Sequence, residues 1–272
     1  MKKTITAHMI VKNEERWVWY SIMSVIDYVD KMIIFDTGST DKTVFIIRKI
    51  LESKMYNKKI IFEEKEAVSE QNFFLLRQEQ IEKTNTDYFL VVDGDEIWYK
   101  DTLERLQVLI NNQDRKIDLV AVKFINCAGD IYHYRDFKRE SYCIEKIKGS
   151  ITIRLYSMNI DGIKCAGNYG VEGYFDKKNK PVQESEWKIA ILDGFYLHTS
   201  LLQRSGEIQG DFCIKYRRKK IGSDWDYKFD NDFKYPEVFY LGRPSYVHNP
   251  WNKRIGLIEK LFYFLRKIKR FG

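Results

Sequence analysis

Two stretches decide how this chain reads: Phe35-Asp36-Thr37-Gly38-Ser39-Thr40-Asp41 and Asp93-Gly94-Asp95-Glu96. Each follows an apolar run of strand length, Met32–Phe35 and Tyr88–Val92, so each sets carboxylates at the C-terminal end of a strand. That edge is where open α/β sheets bind ligands. In the second stretch two carboxylates stand one residue apart, and strand alternation throws them to opposite faces unless Gly94 lets the backbone bend. Carboxylates crowded there repel one another, which is tolerable mainly where a divalent cation and a phosphate share the space. The pattern predicts a metal–diphosphate site.

Working outward, the first hundred residues alternate strand and helix patterns. Ile5–Val11 reads as a buried strand and Trp17–Asp27 as a helix opened by the polar turn Lys12-Asn13-Glu14-Glu15. Lys31–Phe35 is a second strand. Ser39 or Thr40 is placed to cap a helix running through Lys54, with Val44, Ile47, Ile50 and Leu51 at helical spacing. A short strand Ile60–Glu63, a helix from Val68 to about Lys83 and the strand Tyr88–Val92 complete an α/β unit with a mostly parallel sheet. Beyond Glu96, Thr102–Asn112 reads as a helix, and Leu119–Ile125, Ile151–Tyr156 and Ile189–Leu197 read as strands joined by long loops. Arg204–Lys220 and Asn252–Phe271 read as helices, the second amphipathic.

Composition narrows the class. The 272 residues are 44% hydrophobic and 31% charged, as in a soluble globular chain, and no apolar run approaches the ~20 residues of a membrane span. The start, Met1-Lys2-Lys3-Thr4-Ile5-Thr6, has no long apolar core of a signal peptide, so a cytoplasmic protein is expected. Cys127, Cys143, Cys165 and Cys213 are scattered without a Cys-x-x-Cys pair, which argues against zinc and against a disulfide framework. Net charge is +7, with 46 Lys and Arg against 39 Asp and Glu, and the excess gathers in Lys215–Lys220 and Lys253–Arg270. Such a bias favours phosphate-bearing or anionic partners. Nucleic acid is not expected, because no ordered RNA-binding motif accompanies the basic tail. A nucleotidyltransferase would show a Gly-rich basic loop after the first strand, and Val11-Lys12-Asn13-Glu14 is none.

The segments Met9-Ile10-Val11-Lys12-Asn13-Glu14-Glu15 and Val29–Asp41 strongly resemble family 2 glycosyltransferases. The closer likeness is to the bacterial branch that opens on Lys-Asn-Glu-Glu and transfers sugars to lipopolysaccharide cores or similar acceptors. The interval to Asp93-Gly94-Asp95-Glu96 matches as well, as does Asn72, preceded by Gln71 where the family usually carries Arg. The resemblance covers about residues 5–215. It implies the GT-A fold, a Rossmann-like, mostly parallel central sheet flanked by helices, with a nucleoside-diphosphate sugar, here a UDP-sugar, and Mn²⁺ or Mg²⁺ bound for an inverting transfer. The chain then divides into a GT-A domain over 1–220, with a nucleotide-sugar half (1–100) and an acceptor half (101–220), and an aromatic, basic extension over 221–272.

Carried over by motif, the resemblance places Ile10, Val11 and Glu14 beside base and ribose, and has Asp36 accept from the base. Asn72 and Gly94 border the donor, Asp93 lies near ribose or metal, and Asp95 ligates the metal, joined by His198. The general base falls to Glu172, in Gly167-Asn168-Tyr169-Gly170-Val171-Glu172-Gly173 downstream of Arg154-Leu155-Tyr156, with Asp176 and Asp193 as alternatives. Physical logic agrees, since a departing nucleoside diphosphate gains charge that a dication stabilises, and an acceptor hydroxyl must lose its proton. Against these stand plainer readings: Thr37–Asp41 as turn chemistry, Glu15 as a helix-start acid, Glu96 as a structural hydrogen-bond acceptor, and Trp98 and Tyr99 as core. The terminal amphipathic helix fits packing on its own domain or a second copy, making a homodimer, and also peripheral contact with an anionic membrane. The rival function is a non-catalytic nucleotide-sugar or glycan-binding protein on the same fold.

Overall fold

The computed structural model describes residues 2–66, 69–113, 116–206 and 225–252. Its first part is a βα alternation: β1 (Ile5–Val11), α1 (Val18–Val25), β2 (Lys31–Asp36), α2 (Thr43–Leu51), β3 (Ile60–Glu64), α3 (Phe73–Glu82) and β4 (Tyr88–Val91). The strands lie in the order β3-β2-β1-β4, all parallel, so the ends of β1, β2 and β4 share one edge of the sheet. β1, β2 and β4 are buried on both sides, as largely apolar strands require, while β3 at the edge is partly exposed. Leu90 and Val92 enter the core against α1 and α4, whereas Phe89 and Val91 enter the opposite one with Ile81 of α3. Each such fully buried side chain contributes ~1.5–3 kcal/mol, which fixes the register and hence the height of the acids that follow β4.

The chain continues through β5 (Glu96–Trp98), α4 (Lys100–Asn111), β6 (Leu119–Ala128), β7 (His133–Tyr134), β8 (Cys143–Ile144), β9 (Ile147–Lys148) and β10 (Ile151–Ser157). It then forms β11 (Lys164–Ala166), β12 (Gly173–Phe175), β13 (Ile189–Leu201) and β14 (Tyr227–Lys228). Here the sheet turns mixed. β10 runs antiparallel between β4 and β6, and the 13-residue β13 pairs parallel with β6 and antiparallel with β5. β11–β12 and β8–β9 are separate two-stranded ribbons. The architecture is the α/β GT-A arrangement, a largely parallel central sheet between helical layers.

Several boundaries differ from expectation for local reasons. α2 runs from Thr43 to Leu51, and neither Ser39 nor Thr40 caps it: Lys42 stands at the cap position without a side-chain bond, while Asp41 Oδ1 accepts from Thr43 N at 2.9 Å. Residues Glu70–Asn72 form a 3₁₀ turn ahead of α3, so the helix begins at Phe73. Strands β6 and β13 outrun their apolar cores by several residues because they pair with each other along most of their length. The helix expected over 204–220, beyond Gly206, and the amphipathic helix over 252–271, beyond Asn252, lie outside the described residues, and with them the membrane and dimer expectations. No described helix is long and apolar enough to cross a membrane.

Candidate active site

A cleft of ≈ 610 Å³ opens where β1 and β4 end, lined on one side by Ile10, Val11, Lys12, Glu14, Thr37 and the Asp93-Gly94-Asp95 turn. β1 leads into Asn13, held at φ 53° with its Oδ1 accepting from Thr40 N at 2.7 Å. Asn tolerates this left-handed conformation. The reversal lets Glu14 N donate to Thr43 Oγ1 at 2.7 Å and turns the Glu14 carboxylate into the cleft. Gly94 serves differently from the bend expected of it, for its φ is not positive. A Cβ there would stand 2.8 Å from Val11 Cγ1 and 3.0 Å from Glu14 Cγ, so glycine is required by close approach.

The acids of the β4 end are compensated by guanidinium groups. Arg77 of α3, on the helix face that also buries Leu76, Gln80 and Ile81, donates to Asp93 Oδ1 at 2.7 Å. Arg154 of β10 reaches Asp93 Oδ2 at 3.5 Å, pairs with the fully buried Glu96, and donates through Nε to Tyr196 Oη at 3.0 Å. Burial pushes the Asp93 carboxyl up, but Arg154 and Arg77 outweigh it and hold it below the usual carboxylate range. Glu96 goes the other way: burial dominates, and neighbouring Asp93 and Asp95 add to it, so its pKa is raised despite Arg154. Glu96 is therefore the structural member of the group, accepting from Asp93 N at 3.3 Å. Arg204, just past β13, bridges Asp95 Oδ2 at 2.6 Å and Glu14 Oε1 at 2.9 Å.

His198 of β13 lies on the far side of Asp95, Nε2 3.5 Å from Oδ1, while its buried Nδ1 has no hydrogen-bond partner among the described residues. Asp95 and His198 could share a cation, with Asp93 beside them. Among the described residues no group of three His, Cys, Asp or Glu side chains is arranged to hold one, so diphosphate oxygens and water would have to complete its shell.

The opposite rim is the loop 167–172, which doubles back over the start of α3. Tyr169 N donates to Glu70 O at 2.8 Å and the Tyr169 ring meets Phe73 edge-on at 4.8 Å. Gly167, at φ 107°, is needed because a Cβ would press on Glu172 Cα at 3.0 Å. Glu172 is half-buried, accepts from Gly170 N, and lines the cleft. The two alternative bases do not line it: Asp176 is buried and accepts from Lys178 N and Lys180 N, and Asp193 points to solvent against Arg105.

Two of the expected site residues stand off the cleft lining. Asp36 is not among the cleft-lining residues. Its Oδ1 accepts from Gly38 N and Ser39 N, both at 2.9 Å, and its Oδ2 from Ser39 Oγ, so the carboxylate closes its own turn while Thr37 faces the cleft. Asn72 ends the 3₁₀ turn exposed and off the cleft, where Ser69, Glu70 and Phe73 stand instead. Ile10, Val11, Glu14, Asp93, Gly94, Asp95, Glu172 and His198 do converge on it. Trp98 and Tyr99 are core residues. Sequence reasoning missed Arg77, Arg154 and Arg204. A lone arginine inside the apolar run Ile151–Tyr156 is a signal, because a buried guanidinium demands a partner. Arg204 carries no such local mark.

The model of the family described as "Glycosyl transferase family 2" matches residues 6–171, well over half of the chain. Among curated proteins no sequence matches. Among solved structures, S. aureus TarS 1-349 in complex with UDP-GlcNAc shares 16% identity over 75% of this chain and 60% of that one, with a TM-score of 0.47. A mannosyltransferase from Pyrobaculum calidifontis in complex with GDP-Man and Mn²⁺ shares 12% over 80% and 61%, TM-score 0.46. Glucosyl-3-phosphoglycerate synthase from Mycobacterium tuberculosis, with Mn²⁺, UDP-Glc and phosphoglyceric acid, shares 21% over 47% and 45%, TM-score 0.34. The chain thus spans about 60% of TarS 1-349, and likenesses this distant assign neither substrates nor residues.

Proposed function

The chain belongs to glycosyl transferase family 2, and from that premise we propose that it is a metal-dependent, inverting glycosyltransferase. It moves a sugar from a nucleoside diphosphate, a UDP-hexose or UDP-N-acetylhexosamine, to a hydroxyl of a glycan, lipid-linked or protein acceptor. The observation that carries this reading is one cleft holding the Asp93–Asp95 pair at the sheet edge and Glu172 on a separate rim loop.

In that reading Ile10, Val11 and Glu14 border the nucleoside, and the diphosphate lies along the Asp93-Gly94-Asp95 turn among Lys12, Arg77, Arg154 and Arg204. A divalent cation held by Asp95 and His198 would supply countercharge to the leaving diphosphate. Glu172 accepts the proton of the acceptor hydroxyl as its oxygen bonds the anomeric carbon, and the electron pair of the breaking bond goes to the diphosphate oxygen. The arginines meet that developing charge with donors already oriented by their acids, so little reorganisation is needed.

The test is a screen of UDP- and GDP-sugars with and without Mn²⁺, following melting temperature and release of nucleoside diphosphate. A matching donor at a hundred times its Kd stabilises by ~2.7 kcal/mol, which raises Tm on the order of 5 °C. Stabilisation without any nucleoside diphosphate release would mean a binding protein rather than a transferase. No stabilisation by any donor would remove the reading altogether.

A further inference from the structure

Resting on that donor-site reading, we propose that Arg204 is a built-in counter-cation that occupies the metal's carboxylate until a diphosphate draws it away. Its Nη1 lies 2.6 Å from Asp95 Oδ2 and 2.9 Å from Glu14 Oε1, so a single guanidinium nitrogen bridges the two acids at the cleft floor. Its side chain is only 12% exposed, and those of Asp95 and Glu14 only 4% and 5%. A pair this dry is poorly screened, and a dication arriving alone must part Arg204 from Asp95 without bringing a new anion in its place. That makes bare metal binding weak. A nucleoside diphosphate changes the balance, because its oxygens accept the guanidinium in place of the carboxylate Arg204 gives up.

Arg204 is suited to that exchange. It follows β13, whose His198 already touches the other oxygen of Asp95, so the two sides of one carboxylate are claimed by one strand and its exit. The backbone at Arg204 is pinned, Arg16 N donating to its carbonyl at 3.0 Å, which leaves the exchange to the side chain. Arg77 and Arg154 are placed otherwise, since they hold Asp93 and Glu96 and leave Asp95 to Arg204. The arrangement couples metal and nucleotide, and the coupling is reciprocal: each strengthens the other by the same factor.

The experiment is Mn²⁺ titration of the full-length protein, by calorimetry and by the electron paramagnetic resonance of free Mn²⁺, with and without saturating UDP. Arg204→Gln is expected to bind Mn²⁺ alone about tenfold more tightly than wild type, and to show a smaller gain on adding UDP. Arg204→Lys keeps the charge without the rigid fork and falls between. A residue that merely held the fold would give weaker Mn²⁺ binding when removed, never tighter. Equal or weaker Mn²⁺ affinity in a folded Arg204→Gln overturns the proposal. If that variant does not fold, Arg204→Lys binding Mn²⁺ no more tightly than wild type overturns it instead. Should wild type take no Mn²⁺ even with UDP, the donor-site reading fails, yet tighter binding in Arg204→Gln would still support the counter-cation role.

Discussion

The two halves of the sheet contribute differently to the acid cluster that follows β4. Glu14, Asp93 and Asp95 follow the parallel strands β1 and β4 and Glu96 opens β5, whereas Arg154 and Arg204 come from the mixed half and Arg77 from α3 beside the acids. The parallel half, built from short-range βα units, offers strand ends that all face one way and so concentrates like charge at one edge. The mixed half reaches back to that edge through β10 and β13, the long-range strands, and brings the countercharge. The cleft is therefore a product of the join between the halves. Metal and donor binding should belong to the acids, rate to the rim loop, and stability to the pairs that cross the join.

The sharpest way to break the comparison is Arg154→Met. It leaves Glu96 buried with no cation and should cost ~3–5 kcal/mol of stability, read by urea unfolding. A loss below 1 kcal/mol would show that the halves do not depend on that pair. Asp95→Ala should lower transfer ~10²–10³-fold, about 3–4 kcal/mol in the barrier, with circular dichroism unchanged, because Thr199 bonds only the Asp95 carbonyl. Full activity in Asp95→Ala would end the metal role. Glu172→Gln should cut kcat ~10²-fold while leaving the Tm gain from donor and Mn²⁺ intact, and a lost Tm gain would move Glu172 from rate to binding. Gly94→Ala should destabilise by ~1–3 kcal/mol and weaken donor binding, because its methyl must push Val11 and Glu14 aside.

The smallest effect concerns Asp87, which ties Lys3 and Thr4 to the start of β4. Burial raises its pKa, but bonds from Lys3 and from Thr4 N and Oγ1 prevail and bring it down to about 2. Its folded value lies below its unfolded one, so its contribution is whole above pH ~4 and is lost as pH falls towards 2. Asp87→Ala should cost ~1 kcal/mol at neutral pH and flatten the acid limb of the stability profile in that window. An unchanged limb would count against the assignment.

What the sequence discloses follows this division. β1 is legible residue for residue, and β2, β3 and β4 to within a residue, because strands buried on both faces are continuous apolar runs ending in polar turns. The acids are legible because they sit immediately after those runs. The short strand β5, the ribbons β8–β9 and β11–β12, and the reach of β13 are not, since two- and three-residue pairings carry no period and depend on partners far along the chain. The same reason hides the arginines. Arg154 lies 58 residues from Glu96 and Arg204 109 from Asp95, and no local pattern records such a meeting. Asp36 stands apart from these: its carboxylate accepts from Gly38 and Ser39 within its own turn, and the turn is legible locally.

The position of β13 has a consequence for the order in which the molecule is made. During synthesis the acids leave the ribosome first, and β13 with Arg204 follows about a hundred residues later. A nascent chain stopped ahead of β10 carries Glu14, Asp93, Asp95 and Glu96 without Arg154 and Arg204. Until the later strands dock, those groups must stay hydrated or protonated, and the cleft lacks these two guanidinium groups. The cleft is thus completed late, by a strand that pairs with both β5 and β6 after most of the sheet has been made.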